Sequence, residues 1–303
     1  VEEESDLTPP ELVLAQGNTI HLPVGVEFEE PGYTATDLED GDITDRVVIS
    51  GEVPLDQVGE YVLEYTVSDS QGNTSTCSRT VFRDPKNDPA NVDPGGKVIY
   101  LTFDDGPGQY TQQLLDVLDR YGVKATFFVT AQFPGYLDMI AEEVRRGHSV
   151  GIHSYTHKFD VYQSEDTYYQ DLNAMQDVIR QQTGEATYLV RFPGGSSNTI
   201  SANYASGIMT TLASSLTSKG YVYFDWNVSS GDAGGTTDTK TVYENVIKGI
   251  KANGSHSSVV LQHDIKEFSI EAVGDIISWG LNNGYTFLPL TTSSPTCHHT
   301  INN

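Results

Sequence analysis

The sequence predicts two domains of different class, a small all-β sandwich followed by a larger α/β domain built on a parallel sheet. Three observations predict it. The chain has 303 residues, enough for two domains by the rough guide of about 150 residues each. Its hydrophobic pattern changes near residue 97, from short alternating runs to apolar runs separated by helical stretches. Between the two patterns lies Asp84 to Lys97, whose three prolines and two glycines exclude a helix interior or a central strand. The expected boundaries are 1–84 for the sandwich, 85–97 for the linker, 98–292 for the α/β domain and 293–303 for a tail.

In the first domain, residues 1–10 are an acidic, proline-containing lead. Strands are predicted at 11–14, 19–22, 47–49, 60–67 and 76–82, punctuated by Gly, Asp, Asn and Pro. Tyr61, Leu63, Tyr65 and Val67 alternate strictly, so one face of that strand is predicted to be buried. Gly72-Asn73 supplies the turn before the last strand. After the linker, apolar runs fall at 98–103, 125–129, 148–152, 187–192, 220–226, 257–263 and 285–290. Helices are predicted near 111–121, 136–146, 166–182, 201–219, 239–252 and 269–283, with Gly122, Gly147, Gly184, Gly220, Gly254 and Gly284 at their C-terminal ends. Such alternation implies a parallel sheet, either closed or open.

The net charge of −25 is uneven: residues 1–96 carry 21 acidic and 4 basic side chains, residues 97–303 carry 21 and 13. So acidic a chain is not expected to bind nucleic acid or anionic lipid by charge. No run of about 18 apolar residues is present, so no membrane-spanning helix is expected. No signal peptide is recognisable, and a start at Val1-Glu2-Glu3-Glu4 would suit a chain from which one was removed. Cys77 and Cys297 fall in different predicted domains. In a secreted protein a Cys77–Cys297 disulfide would close a loop of about 200 residues, worth about 5 kcal/mol in the chain-entropy model; two unpaired thiols are the alternative.

Chemistry concentrates where the predicted strands end. Val98 to Phe103 leads into Asp104-Asp105-Gly106-Pro107. Adjacent carboxylates repel unless a cation lies between them or one is protonated; taken alone, the stretch also reads as a surface turn. His153 and His157 end the third strand, and on a helical turn both could face one point; with a carboxylate they would form a two-nitrogen, one-oxygen metal set with an open position. Arg191 ends the fourth strand, Asp232 follows the fifth and His263-Asp264 ends the sixth. In parallel α/β folds those ends share one rim. Asp37, Glu39, Asp40 and Asp42 form an acidic turn that lacks the spacing of a complete EF-hand loop.

Five ordered motifs carry a resemblance across residues 97–292: Thr102-Phe103-Asp104-Asp105-Gly106-Pro107, His153 to His157, Arg191-Phe192-Pro193-Gly194-Gly195, Trp226 to Asp232, and Leu261-Gln262-His263. This stretch resembles the polysaccharide deacetylases of carbohydrate esterase family 4, the NodB-homology fold, which implies a distorted (β/α)7 barrel. The resemblance implies that Asp105, His153 and His157 hold a divalent metal. It makes Asp104 the general base, His263 the general acid, Arg191 the group that holds the base, and Asp232 the partner that raises the pKa of His263. The Gly194 N–H would help stabilise an oxyanion. Trp226, Tyr155 and Leu261 are the expected substrate contacts; Trp226 and Tyr155 read equally well as core residues. Phe192, Gly194 and Ala233 depart from the proline, tyrosine and tryptophan that many members carry at these positions, which removes bulk from the expected cleft wall.

Residues 11–84 resemble the immunoglobulin-like modules of bacterial surface proteins through Ala35-Thr36-Asp37, Asp40-Gly41-Asp42-Ile43-Thr44, Gly59-Glu60-Tyr61 and Tyr65-Thr66-Val67-Ser68-Asp69. Together the resemblances imply a secreted or wall-associated hydrolase that removes N-acetyl groups from an extracellular polysaccharide, with peptidoglycan amino sugars favoured. Chitin or acetylxylan deacetylation is the alternative, as is a catalytically silent glycan-binding wall protein. Zinc is the favoured metal; Co2+, Ni2+ and Mn2+ suit the same donors.

Overall fold

A computed structural model describes residues 7–90 and 92–302; Val1–Asp6 of the predicted lead and Asn91 of the predicted linker lie outside the described residues. The chain divides into two compact units at Lys86/Asn87.

The first unit has seven strands: β1 (Glu11–Leu14), β2 (Thr19–Pro23), β3 (Tyr33–Asp37), β4 (Gly41–Asp42), β5 (Val48–Ser50), β6 (Gly59–Ser68) and β7 (Thr74–Asp84). They form two sheets, β1-β3-β4 and β2-β7-β6-β5, the sandwich that the alternating pattern predicts. Leu63, Tyr65 and Val67 of β6 are buried while Val62 is exposed, so the period-two reading of this strand holds. The short β3 and β4 carry no comparable alternation and escape the sequence reading. Arg79 is fully buried in this core, where its guanidinium donates to Glu30, the Tyr65 hydroxyl and the carbonyls of Ala15, Gly17 and Gly32. In the acidic turn, Asp40 accepts from Arg46 and Ser70 and Asp37 accepts from the backbone N–H groups of Glu39 and Asp40.

The second unit alternates β8 (Val98–Asp104), α1 (Thr111–Tyr121), β9 (Thr126–Val129), α2 (Met139–Arg145), β10 (Ser149–Ile152), α3 (Glu165–Thr183), β11 (Leu189–Val190), α4 (Ile208–Ser218), β12 (Val222–Tyr223), β13 (Val228–Ser229), α5 (Thr239–Asn253), β14 (Ser258–His263), α6 (Glu267–Glu271), α7 (Val273–Asn282) and β15 (Thr286–Phe287). All its sheet pairs are parallel, in the order β12-β11-β10-β9-β8-β14-β13, with β15 on the start of β8. Every residue of β8 is buried, as expected of a central parallel strand covered on both faces. Caps end the helices where the sequence placed them: Gly122 and Gly184 adopt φ of 67° and 82°, a region that costs glycine nothing.

One segment draws the two ends of the sheet together. Val222–Ser230 pairs with β11 at its start, where the Phe224 N–H donates to the Val190 carbonyl, and with β14 at its end, where the Asn227 N–H donates to the Val259 carbonyl. The seven-unit barrel is thereby distorted, with a two-residue β13 where the sequence signals no strand. Its pairs are too few to impose a period.

Cys77 and Cys297 are both free thiols, the second of the two alternatives. Each is half-buried against the core of its own unit, Cys77 against the Leu63–Tyr65–Val81 cluster and Cys297 against the Tyr100–Phe224–Leu290 cluster. The tail also belongs to the second unit. The Cys297 carbonyl accepts from the Asp225 N–H, His298 stacks on Tyr223 with centroids 3.9 Å apart, and the His299 N–H donates to Asp225 Oδ2.

Candidate active site

Parallel register brings the predicted residues to one edge. Asp104 and His263 are directly paired neighbours at the ends of β8 and β14. His153 follows β10 and Arg191 follows β11, one strand further on. Asp105 leaves β8 with φ of 75°, and His157 adopts φ of 54°. Two non-glycine residues held in the left-handed region at one rim mark backbone strain imposed by the surrounding structure.

The His153–His157 stretch is not the helical turn that the i, i+4 spacing suggested. It is a bend organised from a distance by Asp171 on α3. The Asp171 carboxylate accepts from Ser154 Oγ at 2.7 Å, from the N–H groups of Tyr155 and Thr156 at 2.8 and 2.9 Å, and from Thr156 Oγ1 at 2.9 Å. The His157 N–H then donates to Ser154 Oγ. The two imidazoles meet with centroids 5.0 Å apart.

Asp105 Oδ1 lies 3.5 Å from His153 Nε2 and 3.2 Å from His157 Nε2. Ligand atoms of the three residues fall within 4.8 Å of one another, the one such His, Cys, Asp and Glu group among the described residues. Asp105 Oδ1 is buried and has no hydrogen-bond donor facing it. His153 Nδ1 donates to the Arg191 carbonyl at 2.7 Å, which fixes the tautomer and leaves Nε2 as the free donor atom. Burial lowers the pKa of His153 to about 3, so the ring is neutral, as a metal ligand must be. An orphaned buried carboxylate oxygen facing two imidazole nitrogens fits a divalent cation.

Beside this triad sits a buried ion pair. Arg191 is fully buried, and its Nη1 donates to Asp104 Oδ1 at 2.9 Å and to Thr102 Oγ1 at 2.6 Å. Nε and Nη2 donate to the carbonyls of Phe224 and Asp225, and the guanidinium lies 4.3 Å from the Phe128 ring centroid. Each of the three guanidinium nitrogens thus has an acceptor, the condition for holding the charge in the core. Burial raises the pKa of Asp104, against the pull of Arg191 and His263. On the other side, His263 Nδ1 and Asp232 Oδ1 are 2.8 Å apart, and the His263 N–H donates to Asp232 Oδ2. Burial disfavours the imidazolium, but the Asp232 hydrogen bond and charge, with Asp104 and Asp105, outweigh it and raise the pKa. His263 Nε2 therefore points inward, 3.9 Å from Asp105 Oδ2.

The remaining predicted residues are placed less evenly. Gly194 is exposed at φ of 76°, and a Cβ there would meet the Phe159 ring and the Asn198 Cβ at 3.2 Å. Tyr155 is 42% exposed, whereas Leu261 is 5% exposed. Trp226 is half-buried: its ring fills the space where a Cβ on Gly195 would stand, 2.9 Å away, and it meets the His299 ring edge-on. Several supporting residues escaped the sequence reading. Thr102 and Asp171 are described above; Asp225 binds Ser196 through both its N–H and hydroxyl, and Ser269 donates to Asp232. Only Thr102 carried a signal, as the first residue of its motif.

The class defined by this fold and site is a hydrolase of the deacetylase type. A polysaccharide deacetylase family profile matches residues 91–211, and a bacterial surface protein Ig-like domain profile matches residues 12–82. A peptidoglycan-N-acetylglucosamine deacetylase of Bacillus cereus is 32% identical over 194 residues, covering 63% of this chain and 68% of the relative. The crystal structure of the catalytic domain of a peptidoglycan N-acetylglucosamine deacetylase from Eubacterium rectale is 58% identical with a TM-score of 0.68, covering 71% of this chain and all of that one. A polysaccharide deacetylase structure from Bacillus cereus is 31% identical with a TM-score of 0.56, covering 68% and 96%. The chain belongs to the polysaccharide deacetylase family, carbohydrate esterase family 4, metal-dependent hydrolases acting on amide bonds. No helix among the described residues is long and apolar enough to cross a membrane.

Proposed function

We propose that this protein hydrolyses N-acetyl groups on an extracellular polysaccharide, peptidoglycan amino sugars first, with Asp105, His153 and His157 holding Zn2+. The observation that carries the reading is the flanking of the triad by Asp104 and His263, each in its own buried pair. A pure binding protein has no need of a buried base and acid on opposite sides of a metal set. The names of the relatives favour peptidoglycan over chitin or acetylxylan. The Ig-like module at 1–84, joined through 85–97 to the catalytic residues 98–292, suits a secreted or wall-associated enzyme.

The residues divide the work of amide hydrolysis. When bound, the cation polarises the acetamide carbonyl and makes water a better nucleophile. Asp104 takes the proton of the attacking water, and burial strengthens it as a base while Arg191 fixes its orientation. The Gly194 N–H is assigned to the developing oxyanion. His263, whose charged form Asp232 favours, gives a proton from Nε2 to the departing amine. Tyr155, Trp226 and Leu261 are assigned to substrate contact, with Tyr155 the most exposed of the three.

A panel of acetylated substrates tests the assignment. Acetate release from N-acetylated peptidoglycan is expected to exceed release from chitooligosaccharide and from O-acetylated xylan. Faster release from acetylxylan would replace the N-acetyl reading by the ester one, and no release from any glycan would favour the silent binding protein.

A further inference from the structure

β12 and β13 are the two ends of the strand order, and the segment between them crosses from one end to the other. Along this crossing the Tyr223 carbonyl, the Asp225 N–H and the Trp226 carbonyl face away from β11 and β14. Backbone groups in such a place need other partners. Residues 293–303, which the sequence sets apart as a tail, supply them. The Asp225 N–H donates to the Cys297 carbonyl at 2.8 Å. His298 Nε2 donates to the Tyr223 carbonyl at 2.9 Å, and His299 Nε2 to the Trp226 carbonyl at 2.6 Å. A carbonyl can only accept, so both rings carry a proton on Nε2. Nδ1 of a neutral His299 then accepts from Ser197 Oγ at 3.0 Å, and Asn302 Nδ2 donates to the Ser197 carbonyl.

The residue held by this strap is a hub of the catalytic rim. Asp225 is fully buried. Its N–H is fixed by the tail, and its carbonyl accepts from Arg191 Nη2 at 2.9 Å. Arg191 in turn donates through Nη1 to Asp104. The Asp225 carboxylate accepts from the N–H groups of Ser196 and His299 at 2.7 and 2.8 Å, and from the Ser196 hydroxyl. Ser196 closes the turn that carries Gly194 and Gly195. That turn lies tight against the hub, since a Cβ on Gly195 would stand 3.2 Å from Asp225 Oδ1. One residue thus connects the tail to the guanidinium that holds the base and to the turn assigned to the oxyanion. His299 grips it from both sides, through its own N–H to the carboxylate and through its ring to the next carbonyl. A network of this kind orients its members jointly, so loosening one end loosens the other.

We infer that His299 is a positioning residue for the catalytic rim, acting through Asp225 on Arg191, and so on Asp104, and on the turn that carries Gly194. The inference rests on the deacetylase reading above and adds that the C-terminal strap completes the site. The test compares wild type with His299→Ala and the conservative His299→Gln, whose amide can still donate to the Trp226 carbonyl. On a soluble N-acetylated peptidoglycan fragment, His299→Ala is expected to lose about tenfold in kcat with KM and bound metal held, because a displaced base costs rate rather than affinity. His299→Gln is expected to recover most of that rate. Hydrogen exchange read by mass spectrometry is expected to quicken in His299→Ala over residues 191–197 and 224–227, whether or not acetate is released. An unchanged kcat in His299→Ala would overturn the positioning role, as would a rate loss matched by an equal loss of folded, metal-loaded protein. If the wild type releases no acetate from any glycan, faster exchange confined to those two segments would keep the strap while removing the deacetylase reading. Unchanged exchange there would overturn the strap as well.

Discussion

Asp104→Asn is expected to retain the bound metal and the fold while losing about 10² or more in turnover, the scale of a missing general base. The substitution is nearly isosteric, and an amide oxygen can still accept from Arg191 Nη1, now 2.9 Å from Asp104 Oδ1. What it cannot do is take a proton. His263→Ala is expected to lose a similar factor on an amide, where the leaving nitrogen must be protonated. It should lose much less on an activated aryl acetate, whose phenolate departs unaided. Steady-state rates on the two substrates, with metal content measured on each variant, check both halves. Equal losses of His263→Ala on amide and ester would give His263 a role other than the acid.

His153→Ala is expected to abolish stoichiometric metal uptake and, with it, deacetylation. His153 is 4% exposed, and its Nδ1 is committed to the Arg191 carbonyl, so Nε2 has one direction in which to act. Removing it leaves one imidazole and one carboxylate. Two ligands hold a divalent ion far more weakly than three. Elemental analysis after gel filtration reads the metal, and circular dichroism reads the fold. A full equivalent of metal in the variant would overturn the ligand assignment.

How much of this was legible depended on whether a feature is local. Asp104-Asp105-Gly106-Pro107 and His153 to His157 are contiguous, so their chemistry shows in the string, and strand alternation is enough to send them to one rim. The geometry inside the second motif was not legible. Asp171 lies 14 residues beyond His157 on a different element and replaces the expected helical turn by a side-chain-held bend. Asp225 and Ser269 act in the same way, through partners 29 and 37 residues distant. Strand β6, with ten residues and strict alternation, was read to within one residue at each end, whereas β4 and β13, with two residues each, have too few positions to show a period. The state of the cysteines stayed open between a bridge and two free thiols for a related reason. Counting one thiol per domain says nothing of the apolar neighbours that already surround each one.

The central claim is that the Asp105, His153 and His157 triad holds the cation on which amide hydrolysis depends. It is tested most directly by acetate release from an N-acetylated glycan, measured on the purified protein as isolated, after exhaustive chelation, and after equimolar Zn2+ is returned. Release is expected to vanish with the metal and to come back with it. Undiminished release from protein shown by elemental analysis to be metal-free would contradict the claim.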